Sequence, residues 1–233
     1  MKKTLLVFLL VLSFTLVFSA SNNEKTYSMK SSFGGGVALL DVEAINSTFQ
    51  EHDLPTINTP IFNMANSNSF ILDNNLALIM DTNIFMNLSN ENNNYKNRFV
   101  GTTFTGGVGY NLEFGTISLM PNFGMGIGSQ IFLIQEKSVE NVQNVLDNPG
   151  NSTILYSMEV PLKIGVDLGF NINKNRYTSI NMVLKTDYFF NIANIGWTNN
   201  FVSMFPNFLE NSAIDNKLEG FLISMMFEID TDY

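Results

Sequence analysis

The sequence predicts an all-β fold: a closed antiparallel up-and-down transmembrane β-barrel of eight strands, with short helices in its long external loops. Three observations carry that expectation. They are an apolar leader, long segments of apolar/polar alternation after it, and connections that alternate long and short along the chain. Successive side chains on a strand point to opposite faces. Met158, Val160, Leu162, Ile164, Val166, Leu168 and Phe170 therefore share one face of their segment, while Glu159, Lys163, Asp167 and glycines share the other. Leu76 to Met86 alternates in the same way.

The leader places Lys2 and Lys3 before an apolar run through Val17, followed by the small residues Ser19, Ala20 and Ser21. That is the composition of a cleaved secretory signal. Residues 1–20 are expected to be removed, leaving 21–233 as a single outer-membrane β-barrel domain. No later stretch approaches the about 20 apolar residues that a spanning helix needs. The absence of cysteine excludes a disulfide framework and thiol chemistry. Only 14% of residues are charged and the net charge is -9, which excludes the concentrated basic face that nucleic acid requires.

Eight strands follow in order, at about 28 to 40, 60 to 72, 75 to 87, 98 to 112, 116 to 132, 154 to 170, 177 to 190 and 217 to 230. Most exceed the about 9 to 11 residues that cross a bilayer as a tilted strand. The first sets Lys30, Ser32, Gly34, Gly36 and Ala38 on one face. The second is polar from Asn63 to Ser69 and enters on parity. The fifth sets Ile117, Leu119, Pro121, Phe123, Met125 and Ile127 against Ser118, Met120, Asn122, Gly124, Gly126 and Gly128. A glycine row facing water contributes nothing to a soluble sheet, whereas a tapering lumen filled by side chains needs small residues opposite large ones.

The connections Asp73 to Asn75, Glu113 to Gly115 and Asn171 to Arg176 are short. Asp41 to Asn58, Asn87 to Asn97, Leu133 to Thr153 and Asn191 to Asn216 are long. All short turns then fall at one end of the barrel, the periplasmic end in outer-membrane barrels. Two long loops carry helical patterns expected to cap the mouth. In one, Ile45 and Phe49 follow the N-cap candidate Asp41; in the other, Val142, Val145 and Leu146 follow Ser138 and stop at Asn148-Pro149-Gly150. The last loop holds Trp197, Phe201, Phe205 and Phe208 around Pro206, expected to cover the mouth. A hairpin hidden there would raise the count to ten strands.

With the apolar faces toward lipid, Lys30, Asp81, Glu159, Lys163, Asp167, Lys185, Asp187 and Glu228 face the lumen. They are expected to form a paired or hydrated structural network, because unpartnered buried ions cost several kcal/mol each. Glu159 and Lys163 are expected close to Lys185 and Asp187 across the hairpin. Tyr27, Tyr110 and Tyr177 at one end and Tyr156 and Tyr188 at the other fit two interfacial girdles.

Together with the final strand Leu218 to Tyr233, these features resemble a small bacterial outer-membrane β-barrel of the eight-stranded porin-superfamily type. Phe221, Ile223, Met225, Phe227 and Ile229 alternate toward a terminal aromatic, Tyr233, while Asp230-Thr231-Asp232 departs from the strongest form of the assembly signal. The resemblance is architectural and has no diagnostic short motif. It implies outer-membrane lipid and the barrel-assembly machinery as partners, and the outer membrane of a two-membrane bacterium as the location. The chain is expected to act as a monomer.

Catalytic patterns are sparse. His52, the single histidine, lies near Ser47, and a Ser-His pair is the basis for the lipid-hydrolase alternative. Gly124-Met125-Gly126-Ile127-Gly128 lacks the helix that would turn such glycines to phosphate. No metal or cofactor pattern is present, so none is expected. The reading is a structural or surface-interaction barrel whose filled lumen is not a general diffusion pore. A narrow channel or carrier for small apolar or ionic solutes, and a secreted soluble barrel binding an apolar ligand, stand as alternatives.

Overall fold

The computed structural model describes residues 27–137, 152–175, 178–198 and 219–232, with backbone alone for 88–89, 152, 194–198 and 232. In chain order these form β1 (Ser28–Leu40), α1 (Glu43–Glu51), β2 (Ile61–Ile71), β3 (Leu76–Glu91), β4 (Tyr95–Tyr110), β5 (Leu112–Phe114), β6 (Ile117–Glu136), β7 (Ser152–Lys174), β8 (Thr178–Thr198) and β9 (Gly220–Asp232). The strands pair in the order β4-β3-β2-β1-β9-β8-β7-β6-β5, and β4 also pairs with β6, closing the sheet on itself. All of these pairings are antiparallel. The three-residue β5 continues β4 beyond Asn111 along the same neighbour, β6, so the ring has eight staves.

Each predicted strand is present, the polar second one included. β8 and β9 pair directly from Thr178↔Thr231 to Phe189↔Gly220, so the ring closes on eight staves among the described residues; most of the segment in which an extra hairpin was an option, 199–218, lies outside them. Two turns at the end where β1 begins use left-handed backbone, at Asn75 (φ 64°) and Gly115 (φ 67°). Glycine has no Cβ penalty there, and asparagine tolerates the region better than most residues.

One expected long loop is corrected. Asn87 to Asn97 is mostly strand: β3 runs to Glu91 and β4 starts at Tyr95, with register shifts between Asn87 and Asn90. The hairpin has left the apolar belt by this point. Polar residues on both faces then erase the period-two signal, although the hydrogen-bond ladder continues. β6, β7 and β8 overrun their predicted ends in the same direction. The other end also tightens, because β7 reaches Lys174 and β8 starts at Thr178.

The wall is inside out relative to a water-soluble sheet. Phe33, Phe62, Met80, Phe104, Phe123, Ile164, Met225 and Phe227 are among the exposed apolar side chains, and they come from every stave but β8, which adds Ile180 and Leu184. Lysines, carboxylates and carboxamides are buried within. Among the described residues no helix is long and apolar enough to cross a membrane.

Candidate functional site: a plugged and ion-braced lumen

The lumen is layered. Its upper end is closed by the segment joining β1 to β2. Ile45 and Phe49, one helical turn apart on α1, turn inward with Ile57 to pack on Phe85, Phe99, Phe132, Phe189 and Leu222 from the wall. The Phe49 and Phe132 rings lie 4.6 Å apart. Gly101 leaves the space that the Phe85 ring occupies. The helix begins as the sequence suggests, though its N-cap is Val42, one residue after Asp41. The Glu43 amide donates to the Asp41 carboxylate at 3.1 Å.

Asparagines fasten this plug. The Asn46 amide donates to the Ile57 carbonyl at 2.9 Å and accepts from the Ile57 N–H at 2.7 Å, imitating a strand pair. Asn97 donates to the Pro55 carbonyl, Asn92 to that of Asp53 (2.6 Å) and Asn87 to that of Asn58 (3.2 Å). The overrunning β3–β4 hairpin thus holds the return limb of the plug. The partners of these asparagines are backbone groups distant in the chain, which no local pattern in the sequence announces.

Below the plug lies Glu159, 3% exposed, whose carboxylate accepts from Gln130 (2.7 Å) and Asn191 (2.6 Å). Among the described residues no cation lies within ion-pair distance of it. This corrects the expectation that Glu159 joins Lys185 and Asp187. Asp167 pairs with Lys185 and Lys163 with Phe189, so the ladder already carries Glu159 well above them, and with the one-residue bulge at Val160/Pro161 it pairs with Asn194. A Cβ on Gly128 would stand 2.5 Å from the Glu159 Cγ, so the glycine row makes room for this side chain.

The middle layer is ionic. Lys163 contacts Asp81 and lies 3.7 Å from Asp187; Lys185 lies 3.1 Å from Asp81, 3.2 Å from Asp167 and 3.9 Å from Asp187. Asp81 on β3 meets Lys185 on β8, four staves away around the ring. Gly165, between Lys163 and Asp167, leaves the volume taken by the Asp187 carboxylate. The lowest layer sets Lys30 at 4.0 Å from Glu228 and 3.8 Å from Asp230, with its ammonium donating to the Asn111 amide oxygen at 3.2 Å. The Asn181 amide donates to Glu228 at 2.9 Å.

All eight predicted lumen ions are therefore buried, and seven of them lie in the two cation-containing layers. Asp230 was missed, although it follows Glu228 by two residues and so shares its face. Asn63 and Asn83 are buried carboxamides that the same parity would have found. The Asn63 amide donates to Ser224 at 2.9 Å over Gly36, the β1 residue that pairs with both.

The remaining candidates stand apart. His52 is exposed at the C-terminus of α1, and the Ser47 hydroxyl donates to the Glu43 carbonyl at 3.0 Å. The pair thus has neither an oriented base nor a free nucleophile. Among the described residues no group of three or more His, Cys, Asp or Glu could hold a metal ion. Trp197 belongs to β8 by its backbone, whereas Phe201, Phe205 and Phe208, the 138–150 helical pattern, Tyr177 and Tyr233 lie outside the described residues. Tyr27 and Tyr110 are exposed near the lower ends of their staves, and Tyr188 packs on Phe221 at 4.8 Å.

No protein-family model matches the sequence, and no curated protein matches it. Solved structures are similar. Ail, the attachment invasion locus protein of Yersinia pestis, is 12% identical with a TM-score of 0.48, over 89% of this chain and 99% of that one. A major outer membrane protein from Thermus thermophilus is 8% identical with a TM-score of 0.48, over 91% and 100%. Neisserial surface protein A is 8% identical with a TM-score of 0.38, also over 91% and 100%. The chain itself is a closed eight-stave β-barrel. Its fold rests on its own ring of strand pairings, and likeness at such identities carries no activity.

Proposed function

We propose that the protein is an outer-membrane β-barrel of a two-membrane bacterium with a structural or surface-interaction role, carrying no general diffusion pore. One observation supports this above the rest: apolar side chains cover the outside of the wall while ions and carboxamides fill the inside. A soluble barrel carrying an apolar ligand would need the inverse. In lipid every backbone polar group must be paired, and a closed ring of strands satisfies that requirement. The partners that follow are outer-membrane lipid around the belt and the barrel-assembly machinery during biogenesis. The segments above the plug are what such a barrel offers to other molecules.

Membrane fractionation with heat-modifiable gel mobility tests the location. Recovery of the unmodified protein in a detergent-free soluble fraction, with no mobility shift, would remove the membrane reading. Planar bilayers test the lumen, where steps of the size of a water-filled pore would contradict the filled interior. Lipid turnover abolished by His52→Ala would restore the hydrolase alternative.

A further inference from the structure

The apolar belt has one polar interruption that neither the lumen nor the plug accounts for. Ser31 on β1 and Asn66 and Asn68 on β2 face outward. The Ser31 hydroxyl donates to Asn68, the Asn68 amide donates to Asn66 at 2.9 Å, and the Asn66 amide donates to the Ser32 carbonyl at 3.2 Å. A primary amide has two N–H donors and two acceptor sites. After these bonds, each asparagine keeps one N–H and one acceptor site unused. Asn66 is exposed, so its unused groups face the surroundings of the wall.

These groups lie inside the belt. Exposed Phe62 and Phe70 flank them on β2, and the cross-strand neighbours include exposed Phe33 and Met80. A tilted strand rises about 2.5 Å per residue along the barrel axis, so Phe62 to Phe70 covers most of the roughly 25 Å apolar band. Lipid headgroups and water are thereby kept from the middle of it. Thr82, the register partner of Asn66 on β3, adds a hydroxyl beside the patch, and outward polar positions at this depth on other staves are single hydroxyls such as Thr102 and Thr186. A carboxamide half-paired against hydrocarbon favours any neighbour that completes its hydrogen bonds.

We propose that the outward face of β1–β2 is a self-association surface, on which Ser31, Asn66 and Asn68 of one barrel meet the same residues of a second copy within the membrane. The occupant is a second copy because the patch is uncharged and an amide is donor and acceptor at once. It therefore complements itself about a two-fold axis. A single such patch among the described residues of the wall gives a closed pair. The inference rests on the membrane reading above and replaces the monomer expected from the sequence.

The test uses the cysteine-free full chain with one introduced thiol, Met64→Cys beside the patch or Ile164→Cys on β7, in phosphatidylcholine vesicles under mild oxidation. Heat-modifiable mobility is checked first. Its absence would remove the membrane reading and this proposal with it. In folded, inserted protein, Met64→Cys is expected to form a disulfide-linked pair of two chains and Ile164→Cys to remain single. Adding Asn66→Leu and Asn68→Leu to Met64→Cys should weaken pairing roughly tenfold. Equal crosslinking at both positions, none at either, or no response to the leucines overturns the proposal. In native membranes, a product whose mass is not that of two copies would place another protein there and overturn the second-copy assignment.

Discussion

Replacing Lys185 by methionine removes one of the two ammonium groups of the middle layer and leaves Asp81, Asp167 and Asp187 around Lys163 alone. At an effective dielectric near 20, the Lys185 attractions to Asp81 at 3.1 Å and Asp167 at 3.2 Å are each about 5 kcal/mol before desolvation is counted. Desolvation of the ammonium offsets several kcal/mol of that. The net expectation is a loss of about 3–5 kcal/mol, the range found when one partner of a buried pair is removed. Asp167↔Lys185 is a register pair, so adding Asp167→Asn restores the original excess of a single carboxylate. The double variant should therefore recover at least half of the loss. Urea unfolding in lipid vesicles, followed through emission of the single tryptophan, Trp197, reads both effects. With slopes of about 1–3 kcal/mol per molar, the single variant shifts the midpoint by at least about 1 M. An unchanged midpoint for Lys185→Met, or a double variant worse than the single, would refute a dry, mutually paired layer.

Glu159 should behave in the opposite way. Its carboxylate has two amide donors and no described cation, so Glu159→Gln is expected to change stability by less than about 1 kcal/mol in the same assay. A loss as large as that of Lys185→Met would reveal a cationic partner. Phe49→Ala empties the centre of the plug, at a cost of about 3–5 kcal/mol for a buried phenylalanine. Limited proteolysis should then cut within 52–60 while the wall keeps its heat-modifiable mobility; continued resistance would show that the plug does not depend on this ring. Gly128→Val places side-chain atoms where Glu159 sits, so refolding yield should fall and Glu159→Ala in the same chain should restore it. A drop unrelieved by Glu159→Ala would locate the strain elsewhere.

Much of the wall was legible because a membrane barrel obeys one rule along its whole length. From Met158 to Phe170 each residue is assigned a side by its parity, and parity alone placed Lys163, Asp167 and Gly165 inside. β2, whose Asn66 and Asn68 look unlike strand residues in isolation, was legible for a different reason: without it the long and short connections would not alternate. Parity fixes a side but not a height. Glu159 and Lys163 are four residues apart on one face, and only the register of β7 on β8, Gly165 opposite Asp187, decides which of them meets that carboxylate. The rule also ends where the surroundings cease to differ between faces. Asn87 to Asn97 is polar on both faces, one toward water and the other toward the backbone of the plug, so nothing in its pattern distinguished a ladder from a loop. Ile45 and Phe49 announced a helix with one apolar stripe. That the stripe turns down onto Phe132 depends on the return limb through Ile57, which Asn46 and Asn97 hold from a distance.

The reach of Lys185 to Asp81 has a mechanical consequence. A wall one sheet thick behaves as a hoop, in which hydrogen bonds around the circumference resist stretching but offer little resistance to flattening. A contact from β8 to β3 runs along a diameter, and Lys163 to Asp81 runs along a chord from β7. These ties act as spokes at mid-height and hold the cross-section round against lateral pressure from the bilayer. The plug above then sits on a section whose shape these two ties fix.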